Sequence, residues 1–155
     1  MLVLTFQVGR EAFALDIRRV REVVPRVRLR SVSGAPDWLA GLFVYRGQAV
    51  PVLDLHRLTG AGECPPHLSS RIILVPHGSP DSPDGLLGLL ATQVADIREV
   101  APGARPLVGL TGEAGANLGA VLADGTGLLR LLDPDKLLGG AAGRELPALS
   151  AEGLA

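Results

Sequence analysis

Residues 39–60 read LAGLFVYRGQAVPVLDLHRLTG. Val, Leu and aromatic residues fill Gly41–Tyr45 and Ala49–Leu53, which suits two half-buried strands. Arg46-Gly47-Gln48 between them is a tight turn, with Gly47 supplying the positive φ that a short hairpin needs. Asp54 stands where its carboxylate can accept from the first backbone N–H groups of a short helix. Gly60 stands where a left-handed residue ends that helix. The stretch therefore specifies hairpin, cap, helix and stop.

The same order returns in Asn117–Gly139, NLGAVLADGTGLLRLLDPDKLLG. Gly119–Leu122 and Gly127–Leu132 are the expected strands and Asp124-Gly125 the turn. Asp133 repeats the cap, Pro134 occupies the first helical position, and Gly139 repeats the stop. Upstream, Val20-Arg21-Glu22-Val23 corresponds to Ile97-Arg98-Glu99-Val100. Two copies of one plan, offset by 77 to 79 positions, fill the chain.

Between these landmarks the patterns are short. Leu2, Leu4, Phe6 and Val8 alternate with Val3, Thr5 and Gln7, predicting a strand, and Phe13, Leu15 and Ile17 continue it after a turn. Arg18–Val20 is expected as a helical turn and Glu22–Val24 as a short extended piece. Val27 and Leu29, alternating with Arg26, Arg28 and Arg30, predict an edge strand with a basic outer face. Pro36–Leu39 suits one helical turn that lays Trp38 over the first lobe. Residues 60–70 read as a linker, and Ser70–Val75 and Leu86–Ala91 as strands. Thr92–Ile97 is expected to be a helical turn, Leu107–Leu110 a short strand, and 139–155 a flexible tail. The fold class is all-β with short capping helices, and closed barrels are the natural way to remove so many strand edges.

Of the 155 residues 47% are hydrophobic but only 3% aromatic, so the core must be built from Leu, Val, Ile and Ala. The net charge of −1 offers no electrostatic reason to expect nucleic acid. Residues 1–60 carry nine Arg against five acids, whereas 61–155 carry six basic residues against eleven acids. Such asymmetry orients a protein within an assembly or simply solvates it. One cysteine excludes an intrachain disulfide and fits a reducing compartment. No signal-peptide pattern opens the chain. The most apolar run, Gly85–Val94, is shorter than the roughly 20 residues of a membrane span. A cytoplasmic protein that does not insert into membranes is expected.

The run Gly41-Leu42-Phe43-Val44-Tyr45-Arg46-Gly47-Gln48-Ala49-Val50-Pro51-Val52-Leu53-Asp54-Leu55 resembles the central hairpin of CheW-like domains. Ala35-Pro36-Asp37-Trp38-Leu39-Ala40-Gly41 leading in, Val20-Arg21-Glu22-Val23 and Leu131–Leu138 match the same family in order. The resemblance covers residues 1–138 and implies two linked five-stranded β-barrels, the first mainly 1–60, the second mainly 70–138, with strands open to exchange between them. It implies a non-enzymatic, free-standing adaptor without cofactor, coupling methyl-accepting chemoreceptor cytoplasmic tips to the regulatory domain of a CheA-type histidine kinase. An adaptor of a twitching or gliding motility pathway is the alternative, and a small hydrolase using Cys64 or His56 a remote one. Tyr45 departs from the aliphatic residue usual before Arg-Gly, and Thr92-Gln93 from the usual Val-Asp.

The resemblance places Glu22 and Arg46 on a receptor-facing surface, and they are expected to form an ion pair there. Val20 and Val24 are candidates for an apolar contact patch, although core is the stronger expectation for either, as for Val23 and Val44. Gly47 completes the set as the residue that shapes the hairpin tip. Asp54 and Asp133 are explained by capping rather than catalysis. His56, His67, His77 and Cys64 lack the paired spacing of a structural zinc site, so no metal is expected.

Overall fold

The computed structural model describes residues 1–66, 68–78, 83–100, 103–107, 119–123, 127–138 and 146, without the side chains of 95 and 105–107. Its strands are β1 (Leu2–Val8), β2 (Glu11–Asp16), β3 (Glu22–Pro25), β4 (Leu39–Tyr45), β5 (Gln48–Asp54), β6 (Arg71–Pro76), β7 (Leu86–Glu99), β8 (Arg105–Leu107), β9 (Val121–Ala123) and β10 (Leu128–Leu131). The one α-helix among the described residues, α1 (Leu55–Leu58), follows β5, and 3₁₀ turns occupy Ile17–Arg19 and Pro134–Lys136.

The long strand β7 is the spine. Its first part pairs with β6 (Leu74↔Gly88) and, in parallel, with β5 (Leu53↔Leu89), while β4 and β3 extend that ladder on either side. Its second part pairs with β1 (Leu2↔Glu99, Thr5↔Asp96), and the ladder continues through β2, β10, β9 and β8. The leading hairpin of each sequence half thus sits in the ladder of the other half. In both ladders the second strand of the repeated hairpin lies parallel to a neighbour, β5 on β7 and β10 on β2. Among the described residues neither ladder closes on itself.

Thr92–Ile97 does not form the expected helical turn. β7 runs straight through it, because the free edge of β1 satisfies its backbone. A bulge marks the junction of the two ladders. There the register against β1 shifts between Thr5 and Gln7, Gln93 takes a φ of 50°, and Thr92 Oγ1 donates to Gln7 O at 3.1 Å.

The expected edge strand at Val27 and Leu29 is likewise reduced to a single bridge, Arg30 with Leu42. Arg26 turns inward instead, its Nη1 donating to the carbonyls of Cys64 and Pro65 at 3.2 and 2.9 Å. At the bridge the chains approach so closely that a Cβ on Gly41 would stand 2.7 Å from Arg30 O.

Among the described residues three cores follow from the alternation of side chains. Leu4, Phe6, Phe13, Leu15, Leu53, Ile73, Leu87 and Leu89 fill the space between the ladders. Val50, Val52, Ile72, Leu74 and Leu90 fill the inner face of the β3–β7 ladder. Val3, Ala14, Val100, Leu122 and Leu129 fill that of the other. β5, β6 and the start of β7 are buried on both faces, which is why they read as unbroken apolar runs. Trp38 is half-buried against the central core, and Leu39 N donates to Pro36 O at 3.1 Å in the turn before β4. The Asp124-Gly125 turn, Gly139, residues 108–110 and all of the 139–155 tail but Leu146 lie outside the described residues.

Candidate functional site

The β4–β5 hairpin carries Arg46 and Gly47 at an exposed tip, with φ of 47° and 81°. Two successive left-handed residues make the turn whose twist matches antiparallel strands. The Arg46 guanidinium carbon lies 5.2 Å above the centroid of the Tyr45 ring, and Tyr45 meets Phe43 edge-on at 6.3 Å. Phe43 and Tyr45 are half-buried against the inner core, so the tip is anchored to the sheet by an Arg–Tyr–Phe stack.

Glu22 opens β3, opposite Leu74 of β6, near the other end of the same ladder. No ion pair joins Glu22 to Arg46, which corrects the expected charge pair; the tyrosine ring takes the guanidinium instead. Val20 and Val24 are both half-buried and pack against different cores. Val20 packs on the central core and Val24 on the inner core, because the chain turns between them and β3 presents alternate faces. Among the described residues the exposed valines are Val23 (38% accessible), Val27 (39%) and Val44 (49%). Val27 was legible only as a ladder residue, and its exposure follows from the loss of that ladder.

Where β5 passes into α1, Asp54, His56 and Cys64 come together, all buried. Asp54 Oδ1 accepts from the N–H groups of His56 (2.9 Å) and Arg57 (3.4 Å), and Oδ2 accepts from Cys64 N–H at 2.9 Å. One carboxylate therefore caps the helix and ties down the following loop. The spacing of Asp54 to α1 shows the cap; nothing local in the sequence shows the bond to Cys64. Burial pushes the Cys64 thiol up to about 11, so it is not the ionised nucleophile a hydrolase needs. His56 Nε2 accepts from Gly9 N–H at 3.0 Å, so its lone pair is engaged in the fold.

A crevice of about 370 Å³ adjoins this cluster, lined by Arg26, Arg28, Asp37, Arg57 and Glu63 among others. Arg57 lies 3.7 Å from Glu63. Among the described residues no helix is long and apolar enough to cross a membrane.

Residues 2–142 match the family described as CheW-like domain. The chain is 28% identical over 142 residues to the chemotaxis protein CheW of Treponema pallidum (strain Nichols), covering 87% of this chain and 80% of that protein. It is 26% identical over 140 residues to the chemotaxis protein CheW of Klebsiella aerogenes, with the same coverage. The crystal structure of the scaffolding protein TtCheW from Thermoanaerobacter tengcongensis superposes with a TM-score of 0.77 at 22% identity, over 92% of this chain and 90% of that one, and shows the same fold. By the span of that match, nearly end to end, this chain belongs to the CheW-like domain family.

Proposed function

We infer that this protein is a chemotaxis coupling adaptor, which bridges a CheA-type histidine kinase and the cytoplasmic tip of a chemoreceptor without catalysing a reaction. The observation that carries the reading is the family match over residues 2–142. The Asp54 carboxylate and His56 Nε2, buried together, both accept from backbone N–H groups, which suits a scaffold.

The exposed hairpin tip, Arg46 and Gly47, and the β3 segment with Val20, Glu22 and Val24 form the docking elements, with Val23 and Val44 supplying exposed apolar contact. Such surfaces bind through apolar contact and use charge for orientation and choice of partner. Signal passes only if the contacts with one partner differ between states of the other. The protein works in the cytoplasm, beside the membrane through its partners.

Co-purification with a kinase regulatory domain and a receptor tip fragment tests the proposal. Binding of both, alone and together, is expected. A folded protein that captures neither, from any chemosensory system of its own genome, would overturn it.

A further inference from the structure

His56 is 3% exposed and sits where three elements converge: the end of β5, α1, and the β1–β2 turn that folds over them. Its Nε2 accepts from Gly9 N–H at 3.0 Å. Its Nδ1 has no hydrogen-bond partner and stands 3.9 Å from Asp54 Oδ1. The contact is tight, since a Cβ on Gly9 would stand 3.0 Å from Ala61 Cβ in the loop after α1. Because an N–H donates to Nε2, that nitrogen holds the lone pair and the neutral ring carries its proton on Nδ1. The same tautomer argues against reading Asp54, His56 and Cys64 as a cation site. A metal on Nδ1 would require a proton on Nε2, directly against the Gly9 N–H.

We propose that His56 is a proton-operated latch between the two ladders: neutral, it holds the β1–β2 turn to α1 through Gly9, and protonated, it sets N–H against N–H and releases the turn. Gly9 joins β1 to β2, in the ladder with β10, whereas α1 follows β5 in the other ladder, so the bond spans the two. This rests on the geometry around α1 and not on the identity of any partner.

The charged and titratable groups around the ring are Asp54 at the end of β5, Arg26 after β3, and Cys64 and Glu63 in the loop after α1. Gln7, Thr92 and Gln93 line the same crevice and are uncharged. Burial dominates and holds the His56 pKa below its ordinary value; Asp54 favours the charged ring and Arg26 opposes it. The released state titrates near 6.5 and the latched state lower, so the latch is fully closed above about pH 6.5 and weakens as pH falls below it.

Nitrogen-15 NMR of the histidine ring and the Gly9 amide, followed from pH 8 to pH 4.5, tests the latch. The expected result is a neutral ring protonated on Nδ1 and a Gly9 amide that loses hydrogen-exchange protection in step with His56 titration. After correction for intrinsic exchange, Gly9 opening should rise up to about tenfold per pH unit between 6.5 and the latched midpoint. His56→Gln keeps an acceptor in place of Nε2 but does not titrate, so its Gly9 protection should stay flat over the same range. If that variant fails to fold, the wild-type titration decides alone. A ring protonated on Nε2, a Gly9 midpoint unrelated to His56, or the same pH dependence in folded His56→Gln would overturn the proposal. So would stoichiometric Zn²⁺ binding that perturbs His56 at neutral pH.

Discussion

Arg46 lies over the ring of Tyr45, its guanidinium carbon 5.2 Å from the centroid, and not beside the carboxylate of Glu22. The hairpin tip is thus stiffened from within its own hairpin. Tyr45→Leu should cost about 1–2 kcal/mol in urea denaturation, from the cation–π contact and the edge contact with Phe43 together. A loss below the error of the measurement would show that the stack does not hold the tip.

Arg46→Glu should cost about 0.5–1 kcal/mol of stability, the worth of one exposed cation–π contact. Capture of kinase or receptor fragments should nevertheless fall. Unchanged capture by a folded Arg46→Glu protein would remove the hairpin tip from the docking surface.

The two capping aspartates should not be equivalent. Asp54→Ala removes a helix cap and strands the buried Cys64 N–H, at about 2–4 kcal/mol in all. Asp133 accepts from Asp135 N–H at 3.0 Å and lies half-exposed near Arg19, so Asp133→Ala should cost only about 0.5–2 kcal/mol. Equal losses in chemical denaturation would contradict the extra role of Asp54.

Three glycines should rank by what a methyl group meets. Gly47→Ala has open space and carries only the left-handed strain, about 1–2 kcal/mol. Gly88→Ala places its Cβ 2.8 Å from Ile72 Cγ2 and 3.0 Å from Val52 Cγ2, an overpacking that costs about 1–3 kcal/mol. Gly119→Ala drives its Cβ to 1.9 Å from Leu131 O at a φ of 122° and should exceed about 4 kcal/mol. Thermal melts of the three proteins check the order of Gly119 against the other two.

Cys64 should react slowly while the protein is folded. With its thiol pushed up to about 11, about a hundredfold fewer thiols ionise near pH 8 than for an ordinary cysteine. Because the folded-state pKa is raised, its stability contribution is complete below about pH 9 and is lost as pH rises toward 11. Thiol labelling in buffer and in urea measures the first effect. An alkaline denaturation series on wild type and Cys64→Ala measures the second, with the variant expected to fall less steeply.

What short-range pattern controls was readable in advance. The alternation of Leu4, Phe6 and Val8, the turn at Arg46-Gly47, and the caps at Asp54 and Asp133 each depend on residues within a few positions of one another. So did the 3₁₀ turn near Arg18, although Asp16 caps it in a manner the alternation hid. The doubling of the plan was also visible, since a repeat in sequence needs no coordinates.

Tertiary structure alone decided how the copies share strands, and with that whether Thr92–Ile97 would coil or continue β7. A strand is completed by whichever edge lies beside it, and the edge of β1 is some ninety residues away in sequence. The same holds for the candidate contact residues. The resemblance placed Glu22 and Arg46 together and left Val20 and Val24 between core and contact patch, because burial depends on which face of each strand meets another layer. Packing drew Val20 and Val24 onto separate cores, set Arg46 on Tyr45, and brought Gly9 to His56. Bonds between groups remote in sequence leave no spacing to read; they exist only once the chain has closed the distance.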